Sequence, residues 1–210
     1  FQNQIEGFSN TTISQSGCHM AGQPITFSSS ENVELGQTIY NWNFGNGSTQ
    51  STTSTTAIYI YPLAGTYTVA LTKNNPEYQS QSIQTSAVVY RPIGNVYSSV
   101  TGPITYDVCT ITPPAQSTTL FVNFAMNGHA PADAFNVVWE YKLNSGPWTQ
   151  MSVETGPISS TSKLAPSGFG NATITGTWTV RCTGQDACGN TYTKSFTLQN
   201  VASDPQCSTH

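Results

Sequence analysis

Charge is what this sequence has least of. Asp, Glu, Lys and Arg make up 8% of its 210 residues, against about 25% in an ordinary soluble domain. With six Lys and Arg and a formal net charge of −4, it offers no basic patch for a phosphate backbone, which excludes nucleic acid as a partner. Long apolar runs are missing too, so no membrane-spanning helix is expected. Catalytic and metal-binding patterns are absent in the same way. The four Asp and six Glu are scattered, and His19, His129 and His210 stand alone. No Gly-x-Ser-x-Gly elbow, His-Glu-x-x-His pair, phosphate-cradling glycine loop or Asp-rich calcium loop occurs. The expectation is a protein with no catalytic residue, no cofactor-binding residue and no metal ligand, and not an enzyme.

What the chain has instead is hydroxyl and amide groups. Serine and threonine supply 55 of the 210 residues. A surface of this kind is solvated almost independently of pH, which suits an extracellular setting. So polar a composition also fits disorder, but 11% aromatic residues and frequent alternation of Val, Ile and Tyr argue for a folded core. The chain opens at Phe1, not Met, from which a mature form with its signal peptide removed is expected.

The densest pattern runs from Tyr40 to Leu71. Apolar residues of Ile39 to Phe44 fall mainly on one parity, and Thr66 to Leu71 alternates aromatic and β-branched with small residues, as half-buried strands do. Gly45-Asn46-Gly47-Ser48 and Pro62-Leu63-Ala64-Gly65 read as turns. The motif W-x-F-G-N-G followed by Y-P-x-x-G-T-Y-T-V-x-L, with the upstream Ala21 to Ser30, resembles the polycystic-kidney-disease (PKD) domain, an immunoglobulin-like β-sandwich. The family's usual Gly-Asp-Gly is here Gly45-Asn46-Gly47, which keeps the turn and removes a carboxylate.

Arg91 to Gly94 reads as a linker. Beyond it, strand patterns at Ile104 to Ile111, Leu120 to Met126, Phe135 to Leu143, Trp148 to Val153, Thr173 to Cys182 and Tyr192 to Leu198 indicate a second sandwich. Its end, with an Asp186 to Asn190 turn, resembles the last hairpin of bacterial and archaeal immunoglobulin-like surface repeats. The fold expected is all-β: two tandem immunoglobulin-like β-sandwiches, at residues 18–91 and 92–210, preceded by an extended N-terminal arm, 1–17.

In that arm Phe1, Ile5 and Phe8 are apolar pegs in a polar, proline-free run. It reads either as a first strand or terminus of its own domain, or as a donor strand that adds to a neighbouring subunit's sheet. Three sequons make Asn10, Asn46 and Asn171 candidate glycosylation sites, with Asn46 best placed on a hairpin tip. The five cysteines point to an oxidising compartment. A Cys182–Cys188 disulfide across the last hairpin is favoured; the alternative joins Cys109 to Cys182 in front of Trp139. Cys18 and Cys207 either link consecutive subunits, or Cys207 pairs with Cys109 and Cys18 is a buried thiol. Trp42, Trp139 and Trp178 read as core, and Trp148, after Gly146-Pro147, as exposed.

Composition and arm resemble the thread-type pilins of archaea, whose subunits join by donor-strand complementation. The function this implies is a structural subunit of an extracellular cell-surface filament, assembled head to tail from identical subunits through Phe1, Ile5 and Phe8. The alternative is a secreted polysaccharide-binding or adhesive module of a larger surface protein, with surface glycans as partners.

Overall fold

The computed structural model describes residues 11–30, 38–76, 78–98, 100, 102–107, 118–126, 130–167, 169, 174 and 176–201. No helix occurs among them, and the chain divides into two compact units, Phe1–Arg91 and Pro92–His210. Each is an immunoglobulin-like sandwich of two sheets, as expected.

The first unit contains β1 (Ile13–Gly17), β2 (Pro24–Ser29), β3 (Ile39–Asn43), β4 (Thr49–Thr52), β5 (Thr56–Ile60), β6 (Gly65–Asn75) and β7 (Tyr78–Val89). One sheet has the order β1-β2-β5 and the other β4-β3-β6-β7, with every pairing antiparallel. Period-two alternation selects the buried face: Ile25 and Phe27 from β2 meet Tyr40 and Trp42 from β3 and Val69 and Leu71 from β6. The Phe27 ring sits among Trp42, Phe44 and Tyr61, with centroids 6.3, 5.7 and 6.5 Å away. Each such ring or branched side chain contributes about 1.5–3 kcal/mol by leaving water. The β3–β4 turn depends on Gly45, at φ +79°. A Cβ there would lie 2.5 Å from the Thr68 carbonyl oxygen, so any other residue is both strained and blocked.

Of the two readings of the arm, the structure decides for Ile13–Gly17. They form β1 of the unit's own sheet, paired with β2 from Ile13↔Ser29 to Gly17↔Ile25. After β1 the chain crosses to the second sheet: Tyr90 donates to the His19 carbonyl and Ala21 to the Tyr90 carbonyl, both at 2.9 Å.

The second unit contains β8 (Asn95–Ser98), β9 (Ile104–Asp107), β10 (Thr119–Ala125), β11 (Phe135–Leu143), β12 (Thr149–Glu154), β13 (Ser160–Leu164), β14 (Gly176–Gln185) and β15 (Thr191–Val201). Its sheets are β13-β10-β8 and β12-β11-β14-β15-β9, with β9 parallel to β15. The order repeats that of the first unit, strand for strand, with β9 added beside the last hairpin. Leu120, Val122 and Phe124 of β10 face Val137 and Trp139 of β11 and Trp178, Val180 and Cys182 of β14. Gly184 makes room for Phe124, since a Cβ there would lie 2.7 Å from that ring. The segment read as a linker is partly core. Ile93 is buried in this unit and the Gly94 amide donates to the Ala125 carbonyl at 2.9 Å.

Candidate functional site

β5 is paired with β2 on one side only, and its other edge borders no strand among the described residues. A four-stranded sheet of the constant-type immunoglobulin domain has the order A-B-E-D. Here β1, β2 and β5 supply A, B and E, and the residues joining β4 to β5, Thr53 to Thr55, are too few to add D. β5 alternates Ala57 and Tyr59 toward the core with Ile58 and Ile60 away from it. Ile58 is 62% exposed, Ile60 51% and Leu63, just beyond, 70%. Pro24 and Thr26 stand opposite them on β2, so no charged side chain lies in this row. The far edge of the same sheet is built differently. Thr11 donates to Gln81 Oε1 at 3.2 Å, and Gln15 Nε2 donates to the Ser86 carbonyl at 2.9 Å, tying the β1 edge to β7. An open edge with backbone groups facing outward is a template for strand addition.

Asn46 is exposed at the tip of the β3–β4 hairpin, where sequence placed it. Its Oδ1 accepts from the Ser48 amide at 3.2 Å and its Nδ2 donates to Tyr59 Oη at 2.9 Å. Asn10, Asn171, Phe1, Ile5 and Phe8 lie outside the described residues, as do Cys109 and Cys207.

The favoured disulfide is corrected. Cys182 is a free, fully buried thiol, while Cys18 and Cys188 are each disulfide-bonded. The reason is the phase of β14: Trp178, Val180, Cys182 and Gly184 all point inward, and Cys182 stands opposite Trp139 in the ladder. Cys188 belongs to the turn beyond Gln185↔Thr191, three rungs away, or about 10 Å at strand rise. A free Cys182 also removes the Cys109–Cys182 alternative, and a bonded Cys18 removes the reading of it as a buried thiol. Burial pushes the Cys182 thiol up to about 12, with Glu154 adding to the rise and Lys163 opposing it.

That hairpin turn is organised by Asp186. Its Oδ1 accepts from the Cys188 and Asn190 amides, each at 2.9 Å, and its Oδ2 from Asn190 Nδ2 at 2.9 Å and Tyr192 Oη at 3.2 Å.

Trp42, Trp139 and Trp178 are core, as read from sequence. Trp148 is not the exposed ring expected. It lies half-buried on the outer face of β11 and β14, with Arg181 Cζ 3.9 Å and Lys142 Nζ 5.0 Å from its centroid, and Arg181 is paired with Glu140 at 2.8 Å. Two cations already occupy this π-system.

A cleft of about 320 Å³ opens on the outer face of β13-β10-β8, where Tyr97, Asn123, Pro131, Ser159 and Ser160 contribute to its wall. No cluster of three or more His, Cys, Asp or Glu residues suited to a metal ion exists among the described residues, and they contain no helix long and apolar enough to cross a membrane.

Residues 10–88 match the family model of the PKD domain. The first unit is thus a PKD-like sandwich. Among solved structures, the PKD1 domain of Vibrio anguillarum Epp is 22% identical, with a TM-score of 0.33 over 40% of this chain and 99% of that one. The N-terminal eight Ig domains of Down syndrome cell adhesion molecule are 11% identical, with a TM-score of 0.48 over 91% of this chain and 24% of that one. A carbohydrate-binding module of the β-sandwich superfamily is 14% identical, with a TM-score of 0.42 over 98% of this chain and 88% of that one. No curated protein matches the chain. These likenesses concern the fold; none brings a ligand or a partner with it.

Proposed function

We propose that the protein is a structural subunit of an extracellular, cell-surface filament, joined to identical subunits by strand addition at β5. One observation carries this reading: the outer edge of β5, which pairs with no strand among the described residues and is flanked by exposed Ile58, Ile60 and Leu63. The donor is the segment before β1 of another copy. Ile13–Gly17 are used within the subunit, which leaves residues 1–10; laid out as a strand, they would put Phe1 and Ile5 on one face and Phe8 on the other. A strand laid beside β5 would satisfy its outward backbone groups. It would also bury apolar area at about 25 cal/mol per Å² at every junction. Because the arm of one copy meets a different surface on the next, the contact is heterologous, and a rotation between copies that does not close a ring propagates it as an open filament. Disulfides at Cys18 and Cys188 fit an oxidising exterior. Within this reading Asn10, Asn46 and Asn171 are sites for N-glycans.

Electron microscopy of the native assembly, alongside protein lacking residues 1–10 and the Ile58→Lys/Ile60→Lys double variant, tests the reading. Filaments are expected from the intact chain and dispersed, folded subunits from both variants. The deletion must stop before Thr11, because a longer one removes β1 and its contacts to β7. Filaments that persist in both variants would sink the proposal.

A further inference from the structure

The cleft on the second unit is built from other residues and does not depend on whether subunits polymerise. Register fixes its floor. Asn123 of β10 stands opposite Tyr97 of β8 on one side and Ser160 of β13 on the other, so the three side chains form one row across the sheet. The next outward residue along β10 is Phe121, 48% exposed, opposite Ser162 of β13. The cleft, of about 320 Å³, lies on the other side of Asn123 from Phe121, with Phe124, Ala125, Pro131 and Ser159 completing its wall. No lining residue is charged. Lys163 on neighbouring β13 alternates to the other face, where it holds Glu154 at 3.0 Å.

We propose that this face binds a neutral polysaccharide, with one hexopyranose ring seated in the cleft against Tyr97, its hydroxyls met by Asn123 and Ser160, and the next ring of the chain lying outside the cleft over Phe121. Aromatic rings present an apolar surface that suits the C–H face of a pyranose. The Asn123 amide both donates and accepts, and the serine hydroxyls rotate to do either, which matches vicinal sugar hydroxyls. The volume lies at the lower end of ligand pockets, roughly 300–1,000 Å³, with a few polar groups converging on an otherwise apolar wall. A polyanionic chain has nothing to pair with here. A peptide strand would have to make its main-chain bonds at a sheet edge, and this surface is a sheet face.

The test is titration of the full chain with cellohexaose, mannohexaose and maltohexaose, followed calorimetrically and by amide NMR shifts, with polygalacturonate as the charged control. Saturable binding of at least one neutral hexaose is expected, with shifts confined to residues around Tyr97, Asn123 and Ser160. Phe121→Ala and Asn123→Ala should each weaken it tenfold or more while leaving the thermal midpoint unchanged, since both side chains are outward. Tyr97→Phe should retain binding through the ring. The proposal is overturned if none of the three hexaoses saturates, if polygalacturonate binds as tightly, or if Phe121→Ala and Asn123→Ala bind as the parent does. It is also overturned if those variants impair filament assembly and leave saccharide binding intact, because the face would then be a protein contact.

Discussion

The Asn46 side-chain amide donates to the Tyr59 hydroxyl at 2.9 Å, and that hydroxyl in turn donates to Ser48 Oγ at 2.8 Å. One phenol thus fastens both ends of the Asn46-Gly47-Ser48 turn to β5. Its ring is held independently, stacked on Phe44 at 4.0 Å and 9° from parallel. Tyr59→Phe therefore removes two hydrogen bonds and leaves the stack in place. At about 0.5–1.5 kcal/mol per bond, reduced by partial exposure, the loss should be about 1 kcal/mol. A lower urea midpoint with an unchanged m-value checks it; no change would mean that water replaces Tyr59 without cost.

Asp186 should be among the most sensitive positions of the second unit. It is buried and its carboxylate accepts four hydrogen bonds, three from within its own five-residue turn and one from Tyr192 on β15. Bonds to a charged acceptor are worth about 1.5–3 kcal/mol each, and stranding buried donors adds their desolvation cost. Asp186→Ala is expected to destabilise this unit by about 3–5 kcal/mol, read from urea unfolding under non-reducing conditions. Asp186→Asn should cost nearly as much, since a side-chain NH₂ would face Asn190 Nδ2 or a backbone amide. A loss below about 1 kcal/mol would show the turn to be held by the Cys188 disulfide and Gly189 alone.

This turn was legible in sequence because an Asp at its start and a Gly-Asn pair at its end mark it locally. The central strands were legible for a similar reason: Tyr40 and Trp42, or Val69 and Leu71, put large residues on one parity only. β8 and β13 were not. β13 is Ser160-Thr161-Ser162-Lys163-Leu164, which sends one small side chain, Thr161, fully into the interior. Thr161 accepts from Trp139 Nε1 at 3.2 Å and donates to Glu154 at 2.8 Å, a role no alternation pattern reveals. In β5 both parities are apolar, so Ile58 and Ile60 cannot be told from Tyr59 as the outward set. The edge of β5, unpaired among the described residues, is a property of the assembled sheet. Cys182 is a case where parity was available: it shares phase with Trp178 and Val180, which marks it as core, against the proximity in sequence that suggested a bond to Cys188.

Alkaline pH should weaken the first unit through Tyr61. Its hydroxyl donates to the Phe44 carbonyl at 2.9 Å, and its ring stacks on Tyr67 at 4.2 Å. Burial, with Tyr59 and Tyr67 nearby, pushes the phenol from 10.0 up to about 12. The folded state thus holds a proton that the unfolded chain releases. The stabilisation from this group is complete below pH 10 and is lost as pH rises through about 12. At about 1.4 kcal/mol per unit the loss is about 2–3 kcal/mol. Tyr61→Phe should be less stable than the parent at pH 8, lacking the bond to Phe44, yet lose less between pH 10 and 12. Parallel declines in the two proteins would contradict the assignment.

Cys182 should be chemically silent in the folded protein. The thiol is fully buried between Trp139 and the inner face of β10, and only the thiolate is nucleophilic. With its ionisation pushed from 9.0 up to about 12, the reactive form is scarce at pH 8 even before access is considered. Iodoacetamide at pH 8 should leave Cys182 unmodified over hours in native protein and alkylate it within minutes in denaturant, as peptide mass mapping would report. The same burial sets the effect of substitution. Cys182→Ala removes a sulfur from a filled site and should cost about 1–2 kcal/mol, the scale of a small cavity. Cys182→Ser keeps the volume closer but places a hydroxyl among Leu120, Val122 and Trp139, and an unsatisfied buried hydroxyl costs about 1–3 kcal/mol. If the serine variant proves as stable as the parent, its hydroxyl has found the Thr161–Glu154 pair, and that pair, close enough to Cys182 for Glu154 to raise its thiol, extends further into the core than a cysteine reveals.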